Sequence, residues 1–223
     1  MKLSKETLEI LKNFSTINEN ICIKPGNILT TISVGNNIIA EAVIDESFDK
    51  EFCIYNLIEW LNVYNVTDNG DIYIMDKFMD ISWGNSKIKY GFADKDSIYY
   101  TEKVPKFHHN GGSLPDQVIE VEVASSTIKT ASVLKSPHMG IVSNGSNVKL
   151  KTFDYNTPSS NSYELDLDVN HDKKFAAILD INSLKILPGT YKVKISSAGI
   201  TCWTNLDRPV TYYITLDTVS KFE

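Results

Sequence analysis

The chain has 223 residues, 42% hydrophobic and 22% charged, enough for one large domain or for two of roughly 110 residues with ordinary packed cores. Its net charge of −6 argues against a protein that coats nucleic acid with its whole surface, but it leaves room for one basic surface on an acidic body. Arg208 is the single arginine among 22 basic residues, which argues against base-specific groove reading, a task that favours the bidentate guanidinium.

The first predicted element is an amphipathic helix. Leu3, Thr7, Leu8, Leu11 and Phe14 recur at three- and four-residue steps and share one face, while Lys5, Glu9 and Lys12 follow the same step on another. Ser4 is placed to cap it, and Glu6 sits in the first turn, where the helix dipole favours an anion. The capping box is incomplete, because Thr7 stands where Glu or Gln would reach back.

β-type runs follow at Ile21 to Ile23, Ile28 to Ile32 and Ile38 to Ile44, punctuated by Pro25-Gly26 and Gly35-Asn36-Asn37, with 45–49 expected as a polar turn. Phe52-Cys53-Ile54 leads into a second helix over 55–64, with a stripe of Ile54, Leu57, Ile58, Leu61 and Tyr64. Three runs at 71–75, 79–83 and 87–92 complete a meander. The stretch 101–115, with Pro105, Gly111, Gly112 and Pro115, has a connector's composition.

The second half repeats the order. A strand at 118–123 precedes a helix expected to start at a Ser125 cap and run through Lys135, with Ala124, Ile128, Ala131 and Leu134 inward. Strands around Ile141, at 148–153, 163–169 and 175–179 lead to a second short helix over 180–187, stopped by Pro188-Gly189. Strands at 191–195 and 210–216 finish the chain. Helix starts fall 50 residues apart in the first half (4 and 54) and 55 apart in the second (125 and 180), which suggests two copies of one supersecondary plan. The expected division is 1–104, a connector over 105–116, and 117–223. A helix pair lying across a sheet buries both one-sided elements at once.

Signatures of catalysis are missing: the chain carries no P-loop, GxSxG, HExxH or GxGxxG pattern. Adjacent His108 and His109 read as a solvated loop, and Glu164, Asp166 and Asp168, interleaved with Leu165, Leu167 and Val169, as the wet face of a half-buried strand rather than a metal site. Asp94, Asp96, Asp45, Glu46 and Asp49 read as turn and surface acids. Cys22, Cys53 and Cys202 lie far apart, and three reduced, partly buried thiols of a cytosolic protein are expected. No cofactor is expected. No apolar leader opens the chain and no run approaches the ~20 apolar residues of a membrane span, so no membrane association is expected.

The strings MKLSK, LKNF and TIN within the first eighteen residues resemble the start of the DNA polymerase sliding clamp of T-even-type bacteriophages. Leu187-Pro188-Gly189-Thr190-Tyr191-Lys192 and the closing strand around Tyr212, Tyr213, Ile214 and Leu216 are similar to that family too. The resemblance implies an α+β DNA-clamp fold, two similar domains each with two helices packed on antiparallel sheets, assembling into a ring. Six such domains close the ring, so two per chain imply a homotrimer around double-stranded DNA with helices lining the hole. It also implies a tether for the replicative DNA polymerase, an ATP-driven clamp loader, a role with the transcription machinery in late transcription, and work in the cytoplasm of the infected host.

On that basis the expected DNA-facing residues are Lys2, Lys5, Lys12, Lys129, Lys135 and Lys185, which stand on or beside the four predicted helices. The second helix is the exception, offering Asn56, Glu59 and Asn62 and no cation. Partner peptides of the family dock beside the connector, so Val104, Pro105, Phe107 and Leu114 are the expected partner-binding residues, with Pro209 and Val210 adding apolar surface. The run from Phe107 to Gly112 departs from the family pattern. The alternative on composition alone is a non-enzymatic β-rich phage capsid or tail protein, which leaves the outward lysines and the N-terminal strings unexplained.

Overall fold

The computed structural model describes residues 1–101, 114–157 and 159–223. The chain divides into two compact units, Met1–Val104 and Pro105–Glu223.

The first unit opens with helix α1, Lys5–Ile17. Ser4 caps it: its backbone is extended and its Oγ accepts from Thr7 N at 3.1 Å. Ile10, Leu11, Phe14 and Ile17 are buried along one side, while Lys5 and Lys12 are exposed on the other. Strands β1 (Ile21–Ile23), β2 (Gly26–Ile32), β3 (Ile38–Phe48) and β4 (Phe52–Ile54) follow. β3 runs through the expected polar turn, so Asp45 and Glu46 are strand residues. Glu46 is more than a surface acid, since Ser4 N donates to its Oε1 and Thr7 Oγ1 to its Oε2 at 2.5 Å. A residue on a neighbouring strand thus supplies the carboxylate that the sequence of α1 lacks.

β1 pairs antiparallel with β4 in a register that sets Cys22 directly opposite Cys53, Cα atoms 4.1 Å apart, and the two are joined as a disulfide. The expectation of three free thiols is corrected: Cys202 alone is free, and it is buried. Linear separation had suggested isolation, but strand register decides which cysteines meet.

Helix α2 spans Leu57–Asn65, capped by Asn56, whose Oδ1 accepts from Glu59 N at 2.9 Å. Its buried stripe is Leu57, Trp60, Leu61 and Tyr64, so Ile58, expected inside, faces out at 51% exposure. Trp60 claims the interior position instead: it stacks on Tyr64 with centroids 5.7 Å apart, and its Nε1 points to Met79 Sδ at 3.1 Å. α1 packs on α2, β2 and β3. The unit closes with β5 (Asp71–Ile74), β6 (Phe78–Trp83) and β7 (Ser86–Gly91), an antiparallel meander. Met1 covers the outer edge of β5, its amino group donating to Ile72 O at 2.8 Å and its carbonyl accepting from Ile72 N at 2.7 Å. β7 stands at the other edge.

The second unit contains β8 (Gln117–Ala124), α3 (Ser126–Val133), β9 (His138–Asn144), β10 (Asn147–Phe153), β11 (Tyr163–Asn170), β12 (Lys174–Asp180), β13 (Thr190–Ser196), β14 (Ile200–Asn205), β15 (Val210–Thr215) and β16 (Lys221–Phe222). One sheet has the order β11-β10-β9-β12-β16, with β11 at its edge. β15, β14, β13 and β8 are hydrogen-bonded in that order, and Val121, Val123, Tyr191, Val193, Trp203 and Tyr212 are buried along them. β14 was not anticipated from the sequence; it is an interior strand with Cys202 and Trp203 both buried, so it lacks the alternation that marks a half-wet strand.

Two helix expectations are corrected here. Ser125 does not cap α3: its own backbone is helical, and its Oγ accepts instead from Gly189 N at 2.9 Å. α3 stops at Val133, and Lys135 takes a left-handed conformation (φ 54°) just beyond it. The segment 180–187 is no α-helix but a single 3-10 turn, Ile181–Ser183, packed on α3. The reason lies in its backbone partners. Leu187 N donates to Tyr212 OH at 3.1 Å and Leu187 O accepts from Tyr191 OH at 2.5 Å, so tyrosine hydroxyls replace the helix ladder. Pro188 also disfavours a helical residue before it. Burial pushes the Tyr191 phenol up to about 12, so its hydroxyl stays a neutral donor.

Candidate nucleic-acid interface

Lysines fall into two groups with different surroundings. Four on the strands of the second unit are paired: Lys149 and Lys151 both reach Glu164, the latter at 2.7 Å, and Lys192 and Lys194 both reach Glu120, at 3.5 and 3.8 Å. Antiparallel register places these charges side by side and the pairs neutralise one another. Hydrogen bonds from Lys149 and then Lys151 hold the Glu164 carboxyl down at about 2.

Helix lysines differ. Lys2, Lys5, Lys12, Lys129 and Lys135 are exposed, and among the described residues none is ion-paired. Lys5 and Lys12 share the outward face of α1, two turns apart, with Lys2 just before its start. Lys129 is on the outward side of α3 and Lys135 just past its end. Lys185 is exposed beside the 3-10 turn rather than on a helix. Cations held out in water on helix faces can attract phosphate diffusely without gripping any base.

α1 and α2 leave a groove of about 450 Å³ between them, whose lining includes Lys5, Leu8, Lys12, Ile58, Leu61 and Asn62. This surface was missed in the sequence, because Ile58 was assigned to the interior. Its position one residue after Leu57, off the Leu57-Trp60-Leu61-Tyr64 spacing, was the signal available.

Of the expected partner-binding residues, Val104, Pro105 and Phe107 lie outside the described residues, as do His108 and His109. Leu114 and Val210 are interior side chains, each 2% exposed, whereas Pro209 and Leu206 are exposed. No group of His, Cys, Asp or Glu suited to a metal occurs among the described residues. The acids of β11 are exposed and Leu167 and Val169 half-buried, but Leu165, expected on the half-buried side, is exposed as well. Among the described residues no helix is long and apolar enough to cross a membrane.

Residues 4–97 match the DNA polymerase processivity factor family. The chain is 29% identical to the sliding clamp of Vibrio phage KVP40 over 224 aligned positions, covering 96% of this chain and 98% of that one. It is 28% identical to the sliding clamp of Enterobacteria phage T4, covering 89% of each. Among solved structures, A. fulgidus PCNA, determined with the C-terminal region of FEN-1 bound, superposes with a TM-score of 0.69 at 10% identity over 98% of both chains. The DNA polymerase III β subunit of Borrelia burgdorferi superposes at 0.68 and 10% identity, over 98% of this chain and 64% of that one. The fold is thus the DNA-clamp fold, and the family matched over residues 4–97 is one of DNA polymerase processivity factors. Along most of its length the chain is similar to the sliding clamps of these bacteriophages.

Proposed function

We propose that three copies of this chain close into a ring around duplex DNA and tether the replicative DNA polymerase to its template. The observation that carries the reading is the division of charge. Lys2, Lys5, Lys12, Lys129 and Lys135 have no carboxylate partners among the described residues, while Lys149, Lys151, Lys192 and Lys194 on strands are neutralised by Glu164 and Glu120. Helices facing the hole would then offer a sequence-blind attraction, and acidic strands outside would repel DNA. Lys2, Lys5, Lys12, Lys129, Lys135 and Lys185 are the DNA-facing residues of this reading.

Ring closure needs two complementary edges on each copy, one per unit. β7 offers a basic edge at exposed Lys89, and β11 an acidic one at exposed Asp166 and Asp168. Joining β7 of one copy to β11 of the next is a heterologous contact, which closes as a ring when the rotation permits. Tethering raises the polymerase's effective concentration at the primer end with no chemistry by the clamp. An ATP-driven loader opens the ring, partner peptides dock near the connector and Pro209, and the same ring serves the late-transcription machinery in the host cytoplasm.

Light scattering on a size-exclusion column tests the assembly. A mass three times the 25.1 kDa chain, about 75 kDa, is expected at high protein concentration. A monomer at every concentration would overturn the ring.

A further inference from the structure

The outward face of α2 lacks lysine and arginine, yet α2 is one of two helices flanking the groove of the first unit. A lining that worked by charge alone would make α2 a gap in the track. The groove has a different character. Its floor and rim are apolar: Leu61 is buried, Leu8 half-buried and Ile58 half exposed. Cations stand on the α1 side at Lys5 and Lys12, about 10 Å apart along the axis. Amide groups stand on the α2 side at Asn62 and Asn65.

A nucleic-acid strand has the same arrangement of chemistry: an apolar deoxyribose edge between phosphates. We propose that the α1–α2 groove seats one sugar-phosphate strand of the encircled duplex. Leu8, Ile58 and Leu61 lie against deoxyribose, and Lys5 and Lys12 meet phosphates to either side. The inference rests on the helices facing DNA, and it assigns contact to α2, which charge alone would leave out. Deoxyribose is the same in every nucleotide, so such a seat is as blind to sequence as the lysines and leaves the ring free to move. Glu9 also lines the groove, on the α1 side, and opposes a phosphate there.

The test uses a photo-cross-linker attached to Ile58→Cys, with Lys12→Cys as the reference position. Each protein is loaded on nicked circular duplex, and the fraction co-eluting with the circle on gel filtration is irradiated. Cross-links to DNA from both positions are expected. A cross-link from position 12 without one from position 58 would overturn the groove inference and leave the DNA-facing reading standing. Failure at both positions, or failure of any protein to co-elute, would overturn both. As a second measurement, Glu9→Gln is expected to slow run-off from linear duplex and Ile58→Glu to speed it by about threefold, with trimer mass unchanged in each. Equal run-off of both variants and the parent would count against the seat.

Discussion

Glu46 Oε2 accepts a hydrogen bond from Thr7 Oγ1 at 2.5 Å, tying the first turn of α1 to β3. Its other oxygen accepts from Ser4 N, so one carboxylate closes a helix cap across 42 residues of sequence. Burial raises the Glu46 carboxyl, but the hydrogen bonds from Thr7 and Ser4 outweigh it and hold the group below its ordinary value of 4.5. A lowered carboxyl stabilises the fold fully above that ordinary value, and the contribution is lost as pH falls through the lowered one. Glu46→Gln is therefore expected to cost about 1–2 kcal/mol at neutral pH. Urea titrations at pH 7 and near pH 3 check this; the gap between parent and variant should narrow in acid.

Gly189 joins the 3-10 region to β13 at φ 152°, and a Cβ there would stand 2.7 Å from Asn205 Nδ2. Asn205 is buried and accepts from the backbone N–H of Asp207 and Arg208 at 2.8 and 3.0 Å, so it has little freedom to retreat. Gly189→Ala is expected to cost roughly 1–3 kcal/mol, read as a lower denaturation midpoint.

Lys5, Lys12 and Lys129 are exposed cations on α1 and α3. Changing all three to Glu is expected to reduce loading and processive synthesis while leaving the trimer intact, since none supports the core. Replacing them with Gln should flatten the salt dependence of equilibrium binding to short open duplex, by about 0.9 per lost phosphate contact in a log–log plot. Unchanged processivity in the Glu variant would count strongly against these residues as the lining.

Complementary edges make trimer assembly sensitive to charge. Lys89 lies on β7 with its Nζ 4.0 Å from the Phe78 ring centre, and Asp166 is exposed on β11. Lys89→Glu is expected to weaken the trimer about tenfold in sedimentation equilibrium, with Asp166→Lys restoring part of the loss. Lys87 is the poorer test, because it is ion-paired with buried Asp80 and its reversal would disturb the first unit itself.

Register sets the thiol count. With Cys22 and Cys53 joined, alkylation of unreduced, denatured protein should label Cys202 alone, and labelling after reduction should reach all three, read by mass spectrometry.

Much of the local structure was legible in the sequence because it rests on local rules. Ser4 as a cap and the lysines opposite Leu11 and Phe14 follow from helical periodicity and one side-chain bond. What escaped depends on partners distant along the chain. Glu46 looked like a turn acid until β3 brought it to Ser4 and Thr7. Leu187 looked like the end of a helix until Tyr191 and Tyr212 took its backbone groups. Ile58 and Trp60 were both apolar candidates for the α2 stripe, and packing against Met79 settled the choice. The lysine faces were visible in advance, whereas the groove between α1 and α2 was not, because it exists only where two helices meet.

The central claim is that the protein holds DNA by encircling it, and retention on DNA of different topology tests this most directly. Protein is loaded on a nicked circle, the sample is divided, and one half is cut once with a restriction enzyme before gel filtration. Protein should remain with the circle and run off the linear form, the difference persisting at salt concentrations that screen lysine–phosphate attraction. Equal retention on both forms, or loss from both as salt rises, would show an electrostatic binder rather than a ring.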